Sequence, residues 1–176
     1  MSKLFCVIDT ETTGLPDNKH AEPVSVAAVL FDEAGNEVDT FEIIVLPNII
    51  DTTTYRYAEA IHGISLLKLV KDGMPAIAAA EQLRDWWVGH GRPMIYTYNL
   101  GFDEEMLRRM GFAPKGYYGP CIMRTAAQRA GRITGRVSLN TTVHNLGLPG
   151  RGGSQHHALE DARLAGRVAF ALGMFV

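Results

Sequence analysis

The stretch Lys3-Leu-Phe-Cys-Val-Ile-Asp9-Thr-Glu11-Thr-Thr-Gly14 opens with an apolar run and closes on two acids and a glycine. An apolar run of this length bounded by an acid reads as a buried strand over residues 3–9. Side chains alternate across a strand, so Asp9 and Glu11, two apart at its end, project to the same face. A carboxylate closing a buried run is expensive to leave unpaired, and a divalent cation is one way to offset it. The pair marks the strand end as a candidate metal site.

Working outward, residues 12–22 are rich in turn formers, and 24–31 reads as a second strand. Glu33-Ala-Gly-Asn36 is a hairpin signal, and the alternation over 38–46 predicts a third strand. Short turns between three strands predict an antiparallel meander. The character then changes. Short helices are expected over 55–61 and 65–71, separated by His62-Gly63, and Pro75 suits the first turn of a longer helix reaching about Val88. A brief strand over 94–98 precedes a helix over 102–110 stopped by Gly111. Further helices are expected over 121–130, 138–146 and 157–174, the last with Ala158, Leu164, Ala165, Val168 and Ala169 on an apolar side. The order predicts a mixed α/β chain forming one domain over 1–176.

With 176 residues, 47% hydrophobic and 20% charged, the composition is that of an ordinary globular protein large enough for one full core. The apolar runs are far shorter than a membrane span, and no signal-peptide pattern is visible. Two cysteines, Cys6 and Cys121, form no CxxC or disulfide framework, so a cytoplasmic setting is expected. The net charge of −2 is unevenly spread: residues 1–105 carry 17 acids against 7 Lys or Arg. Residues 106–159 carry no acid and 8 basic side chains, Arg108, Arg109, Lys115, Arg124, Arg129, Arg132, Arg136 and Arg151. Such a stretch predicts a surface that meets polyanions, with salt-sensitive affinity.

Two further elements carry chemistry. Asp103, in Tyr98-Asn-Leu-Gly-Phe-Asp103, falls where the fourth strand gives way to a helix, a position an aspartate also takes for its helix-terminal charge alone. In His156-His-Ala-Leu-Glu-Asp161, Asp161 lies one turn into the last helix and His156 at its mouth. His157 and Asp161, four apart, would be explained by a plain helical pair. The glycine-rich segment 147–154, the expected mobile loop, delivers His156, which suits a base that closes on substrate.

Taken together, these elements resemble the DEDDh exonuclease family, ribonuclease H-like folds that include proofreading epsilon subunits. Asp9-Thr-Glu-Thr-Thr-Gly14 is similar to the family's opening motif, Asn99-Leu-Gly-Phe102-Asp103 to its second, and His156-His-Ala158-Leu-Glu-Asp161 to its third. Ile61-His-Gly-Ile64 is similar to a family element near the substrate. Cys121-Ile-Met-Arg-Thr125 departs from the Asp-Thr pair of many relatives. The sister DEDDy group has tyrosine four residues before the final aspartate; His157 stands there instead, with His156 one residue earlier.

The resemblance implies a ribonuclease H-like mixed central sheet, three antiparallel strands plus a further parallel strand, flanked by helices. It implies a 3′–5′ exonuclease releasing nucleoside monophosphates from single-stranded nucleic-acid ends, DNA favoured over RNA. Asp9, Glu11, Asp103 and Asp161 would hold two divalent cations, Mg²⁺ or Mn²⁺, roughly 4 Å apart, since an all-carboxylate set selects hard cations and does not favour Zn²⁺. Asp9 would bridge the metals and His156 would be the general base. Thr12 and Thr13 would offer polar contacts and Leu15 an apolar wedge beside the last base, with Ile61, His62, Asn99 and Phe102 around it. Simple core packing is the alternative for Leu15, Ile61 and Phe102. A polymerase or replication partner would be a separate polypeptide. The rival readings are an RNA-trimming member of the same family and a nucleic-acid-binding module whose active site has lapsed. A dinucleotide site at Gly150-Arg-Gly152-Gly153 is rejected, because the G-x-G-x-x-G spacing and a preceding strand are both missing.

Overall fold

The computed structural model describes residues 3–15, 17–153 and 156–175; Ser154, at the end of the glycine-rich segment, lies outside them. Strands β1 (Phe5–Thr12), β2 (Pro23–Phe31) and β3 (Glu37–Leu46) form the expected antiparallel meander. Two short strands complete the sheet in the order β4-β3-β2-β1-β5. β4 (Met74–Pro75) runs parallel to β3, and β5 (Met94–Tyr96) runs parallel to β1. The sheet is therefore mixed, with β1 between an antiparallel and a parallel neighbour.

The alternation of β1 sorts its residues between two cores. Phe5 and Val7 face a cluster with α5 (Ile122–Arg129), α6 (Leu139–Asn145) and α7 (Ala158–Ala171). Cys6 and Ile8 face the opposite cluster, with α3 (Ala76–Gly89) and α4 (Leu100–Met110). A smaller core joins Val24 to Tyr55 of α1 (Thr52–His62) and Leu69 of α2 (Leu66–Asp72). β2 is buried along its whole length, which fits a sequence apolar at every position but Ser25. α7 packs unusually close to the sheet at Gly166, where an added Cβ would stand 2.2 Å from the Phe31 ring. Among the described residues no helix is long and apolar enough to cross a membrane.

Several boundaries differ from the sequence reading, each for a local reason. β1 continues past Asp9 to Thr12, because Thr10 and Glu11 still pair with Val26 and Ser25; the register shifts only between Glu11 and Thr12. β5 stops at Tyr96, two residues early, and Asn99 caps α4. Pro75 stands just before α3, and its extended backbone joins β4 opposite Leu46. His157 is extended, φ −146° and ψ 115°, and caps α7 from outside the helix.

Candidate active site

The site sits where β1 outruns β5. Beyond Val7 no β5 residue pairs with β1, so its terminal residues border an open cavity of about 690 Å³. Odd-numbered Asp9 and Glu11 share the face of Phe5 and Val7, toward α7, which carries Asp161. Even-numbered Thr10 turns to the other face and donates its hydroxyl to Asp103 Oδ1 of α4 at 2.9 Å. The alternation of one strand thus gathers carboxylates from two helices around its end. Asp9, Glu11, Asp103, Asp161 and His156 all line the same cavity.

Electrostatics show how tightly these groups are gathered. Burial, then the charges of Asp103, Glu11 and Asp161, raise the Asp9 carboxyl well above its ordinary range. Burial and the Asp161 charge push Glu11 up to about 8. Burial pushes Asp103 up to about 7 against the opposing hydrogen bond from Thr10. Asp161 is raised by burial, opposed by Arg151 and His156. All four acids shift in the direction expected of like charges crowded out of water.

Asp161 has two close side-chain neighbours. Arg151 Nη2 lies 2.6 Å from its Oδ1, and His156 Nδ1 lies 3.2 Å from its Oδ2. The backbone N–H of His156 donates to Ile61 O at 2.9 Å, which ties the mouth of α7 to the end of α1. The alternative of a plain helical pair is not borne out: among the described residues no ion pair joins His157 to Asp161. The extended cap conformation turns His157 away, and its Nε2 lies 3.6 Å from Glu42.

The remaining predicted residues also line this cavity: Thr12, Thr13, Leu15, Ile61, His62, Asn99 and Phe102. Leu15 is 66% exposed and Ile61 54% exposed, so neither is explained by core packing. Phe102 is partly buried and belongs to none of the three apolar clusters. Asn99 is exposed, and its backbone carbonyl receives the first amides of α4. Thr12 donates its hydroxyl to Gly14 O, and the Thr13 hydroxyl accepts from Glu22 N, so both shape the turn after β1. His62 is buried with Nδ1 accepting from Ile64 N, and burial lowers its pKa to about 4, so it borders the cavity as a neutral ring.

Sequence reasoning missed Arg151 as part of the cluster, along with Tyr98, Met123, Val137, Ser138 and Leu139 on the far wall. Arg151 stood out only as one cation in a basic stretch; its place in a glycine-rich loop just before His156 was the available signal. That basic stretch is partly consumed internally. Arg108 and Arg109 both bind Glu105 at 2.8 Å, and Arg151 binds Asp161. Arg124 and Arg136 line a second cavity that shares Leu15, Asn99, Phe102 and Met123 with the first.

Residues 6–169 match the family model of the RNase T exonucleases. The chain belongs to that exonuclease family. Asp9, Glu11, Asp103, Asp161 and His156 stand at the positions where its sequence resembles the DEDDh motifs. No curated protein sequence matches it. Among solved structures, the exonuclease is similar to the nuclease domain of 3′hExo, a DEDDh family member bound to rAMP. That pair is 19% identical with a TM-score of 0.77, over 98% of this chain and 92% of that one. It is also similar to a zinc-bound form of E. coli exonuclease I in complex with single-stranded DNA, at 17% identity and a TM-score of 0.74. There the match covers 99% of this chain but 41% of that one. A 3′-exonuclease described recognising the 3′ end of a histone mRNA stem-loop is 17% identical with a TM-score of 0.76, over 99% and 64%. The exonuclease thus spans less than half of the exonuclease I chain.

The site residues fit the divalent-metal dependence of this family. Among the described residues, ligand atoms of Glu11, His156 and Asp161 lie within 4.8 Å of one another, close enough to hold one ion. Among the described residues, buried Glu11 Oε1 has no hydrogen-bond partner, and Asp161 Oδ1 meets Arg151 without hydrogen-bond alignment. Buried carboxylate oxygens left without such partners are what a hard cation takes up.

A pH prediction follows from the raised carboxyls. Unfolded Asp and Glu titrate near 3.9 and 4.3. Because the folded values are higher, the folded state binds more protons, and stability falls as pH rises between the two. In chelator, the melting temperature should therefore drop between about pH 4 and pH 8, with the stability fully present below pH 4. Saturating Mg²⁺ should flatten that drop. Thermal melts across this range, with and without chelator, provide the check, and a melting temperature that rose with pH in chelator would contradict the crowding.

Proposed function

We propose that the exonuclease hydrolyses the terminal phosphodiester at the 3′ end of single-stranded nucleic acid, DNA in preference to RNA, with two Mg²⁺ or Mn²⁺ ions. The observation that carries this reading is the convergence of four carboxylates and His156 on one cavity whose outer wall is exposed Leu15 and Ile61 with Phe102. Asp9, lying among the other three acids, would be shared between the ions. Glu11 and Asp161 would complete one site, and Asp103, held by Thr10, would serve the second. When bound, the ions supply charge neutralisation for the attacking and leaving oxygens. The carboxylate donors favour hard cations over zinc.

The protein's own contribution is positioning and proton transfer. Leu15, Ile61 and Phe102 present apolar surface to the flat face of a terminal base, a contact that tolerates any sequence and requires an unpaired end. His156 takes the proton of the attacking water. Its Nδ1 lies against Asp161, which orients the ring for Nε2 to act as the base. The lean toward DNA rests on the likeness of the motifs to those of proofreading domains; 2′-OH recognition belongs to the RNA-trimming alternative.

The direct test compares matched DNA and RNA oligonucleotides under single-turnover conditions, with Mg²⁺, Mn²⁺ and Zn²⁺ in separate arms and released mononucleotides identified by chromatography. Nucleoside 5′-monophosphates released faster from DNA with Mg²⁺ or Mn²⁺ are expected. Faster release from RNA would replace DNA with RNA as the substrate, and activity confined to Zn²⁺ would reject the hard-cation assignment.

Exposed Arg129 and Arg132, at and just beyond the end of α5, would meet phosphates further along the strand. Their joint reversal to Glu should weaken single-strand binding and reduce the slope of log affinity against log salt by about 0.7 for each phosphate no longer neutralised. Titrations at several salt concentrations check this, and an unchanged slope would remove these arginines from the footprint.

A further inference from the structure

The loop between α6 and α7 contributes more than His156. It also brings Arg151 into the acid cluster with its side chain 8% exposed and Nη2 2.6 Å from Asp161 Oδ1. The guanidinium faces the same cavity as Asp9, Glu11 and Asp103. Its Nε is buried and has no hydrogen-bond partner among the described residues. An arginine side chain cannot shed its charge, so it leaves a cation site only by moving. The flanking backbone suits such movement. A Cβ at Gly150, Gly152 or Gly153 would meet nothing within 4 Å among the described residues, so none of these crowds the loop at those positions.

We propose that Arg151 is an internal competitor of the divalent cations, holding Asp161 until metal takes its place. The inference rests on the reading of the four acids as the metal site and adds a built-in threshold to it. One positive charge offsets part of the repulsion among four carboxylates and so stabilises the cluster. Divalent cations offset far more, but the first must displace or repel the guanidinium. Metal binding and withdrawal of Arg151 are therefore linked, and the linkage is reciprocal. Loading the site releases a cationic side chain beside the position where a substrate phosphate would lie.

Calorimetric titration of Mn²⁺ into the wild type, Arg151→Gln, Arg151→Met and Arg151→Lys, without nucleic acid, tests this, paired with thermal melts in chelator. Removing the charge should tighten Mn²⁺ binding by about tenfold, a modest share of a close like-charge repulsion. Arg151→Gln and Arg151→Met should also melt at lower temperature in chelator, and Mn²⁺ should raise their melting temperature more than that of the wild type. Arg151→Lys, which keeps the charge, should bind Mn²⁺ close to the wild-type affinity. Arg151→Met keeps most of the apolar stem and is held to the same outcome as Arg151→Gln. Wild-type binding of Mn²⁺ with equal or weaker binding by both neutral variants would overturn the proposal alone. No Mn²⁺ binding by any form, the wild type included, would overturn the metal-site reading beneath it.

Discussion

Asp9→Asn should yield a folded protein whose nuclease activity is lower by roughly 10³-fold or more. Metal coordination supplies several kcal/mol of transition-state stabilisation, and about 1.4 kcal/mol corresponds to each factor of ten in rate. Asp9 is the residue to change because the other three acids all bear on it, the position proposed for the shared ligand. Loss of activity through unfolding would look similar in a single assay, but the stability signature differs. Asn removes a negative charge from a crowded buried cluster, so the melting temperature in chelator should stay the same or rise. The stabilisation that Mg²⁺ gives the wild type should shrink sharply, because ligand binding stabilises only what it binds. Melts with and without Mg²⁺, beside the rate, check both halves. A variant that kept its rate would remove Asp9 from the centre of the site.

His156→Ala should lower kcat by about 10²–10⁴-fold, the usual contribution of a positioned general base. The side chain is half-exposed, touches Asp161 through Nδ1 and lies at the cavity mouth, a placement suited to a group that meets water and substrate. Its proximity to Glu11 and Asp161 also admits a second role, as a metal ligand. The two roles separate cleanly. A base is lost with metal affinity intact and with the pH dependence of the rate changed; a ligand is lost together with affinity. Mn²⁺ titration and a pH–rate profile of the variant therefore accompany the kinetics. His157, facing Glu42, is the control: His157→Ala should keep most of the activity. A near-normal rate in His156→Ala with a large loss in His157→Ala would exchange their roles.

The sequence made the centre of this site legible because periodicity there is simple. A strand ending in acids two apart has only one way to place them, and the structure has Asp9 and Glu11 toward α7. Asp103 was ambiguous between helix charge and function, and the structure gives it both settings: its carboxylate accepts from Thr10 across the sheet end and from the Asn99 backbone N–H at the start of α4. Motif order could locate His156 but could not orient its neighbour. Whether His157 belonged to the helix depended on a cap conformation, and one extended residue sends its ring to Glu42.

Arg151 was beyond sequence reading for a different reason. Its importance comes from a loop folding back onto the acids, a non-local contact that no spacing rule reports. The same applies to Val137, Ser138 and Leu139, which reach the cavity wall only because the segment entering α6 packs beside it. The short strands illustrate the opposite limit. β4 owes its existence to pairing with β3, and Met74-Pro75 carries no strand signal of its own.

The most direct test of the central claim is a gel assay on 5′-labelled single-stranded DNA and RNA of matching sequence. Each is run with Mg²⁺, with Mn²⁺, with chelator, and with Asp9→Asn in place of the wild type. A metal-dependent ladder shortening from the 3′ end, absent with chelator and absent in Asp9→Asn, is the predicted result. Tight binding of the strand with no shortening under any metal would contradict the account and favour a binding module whose active site has lapsed.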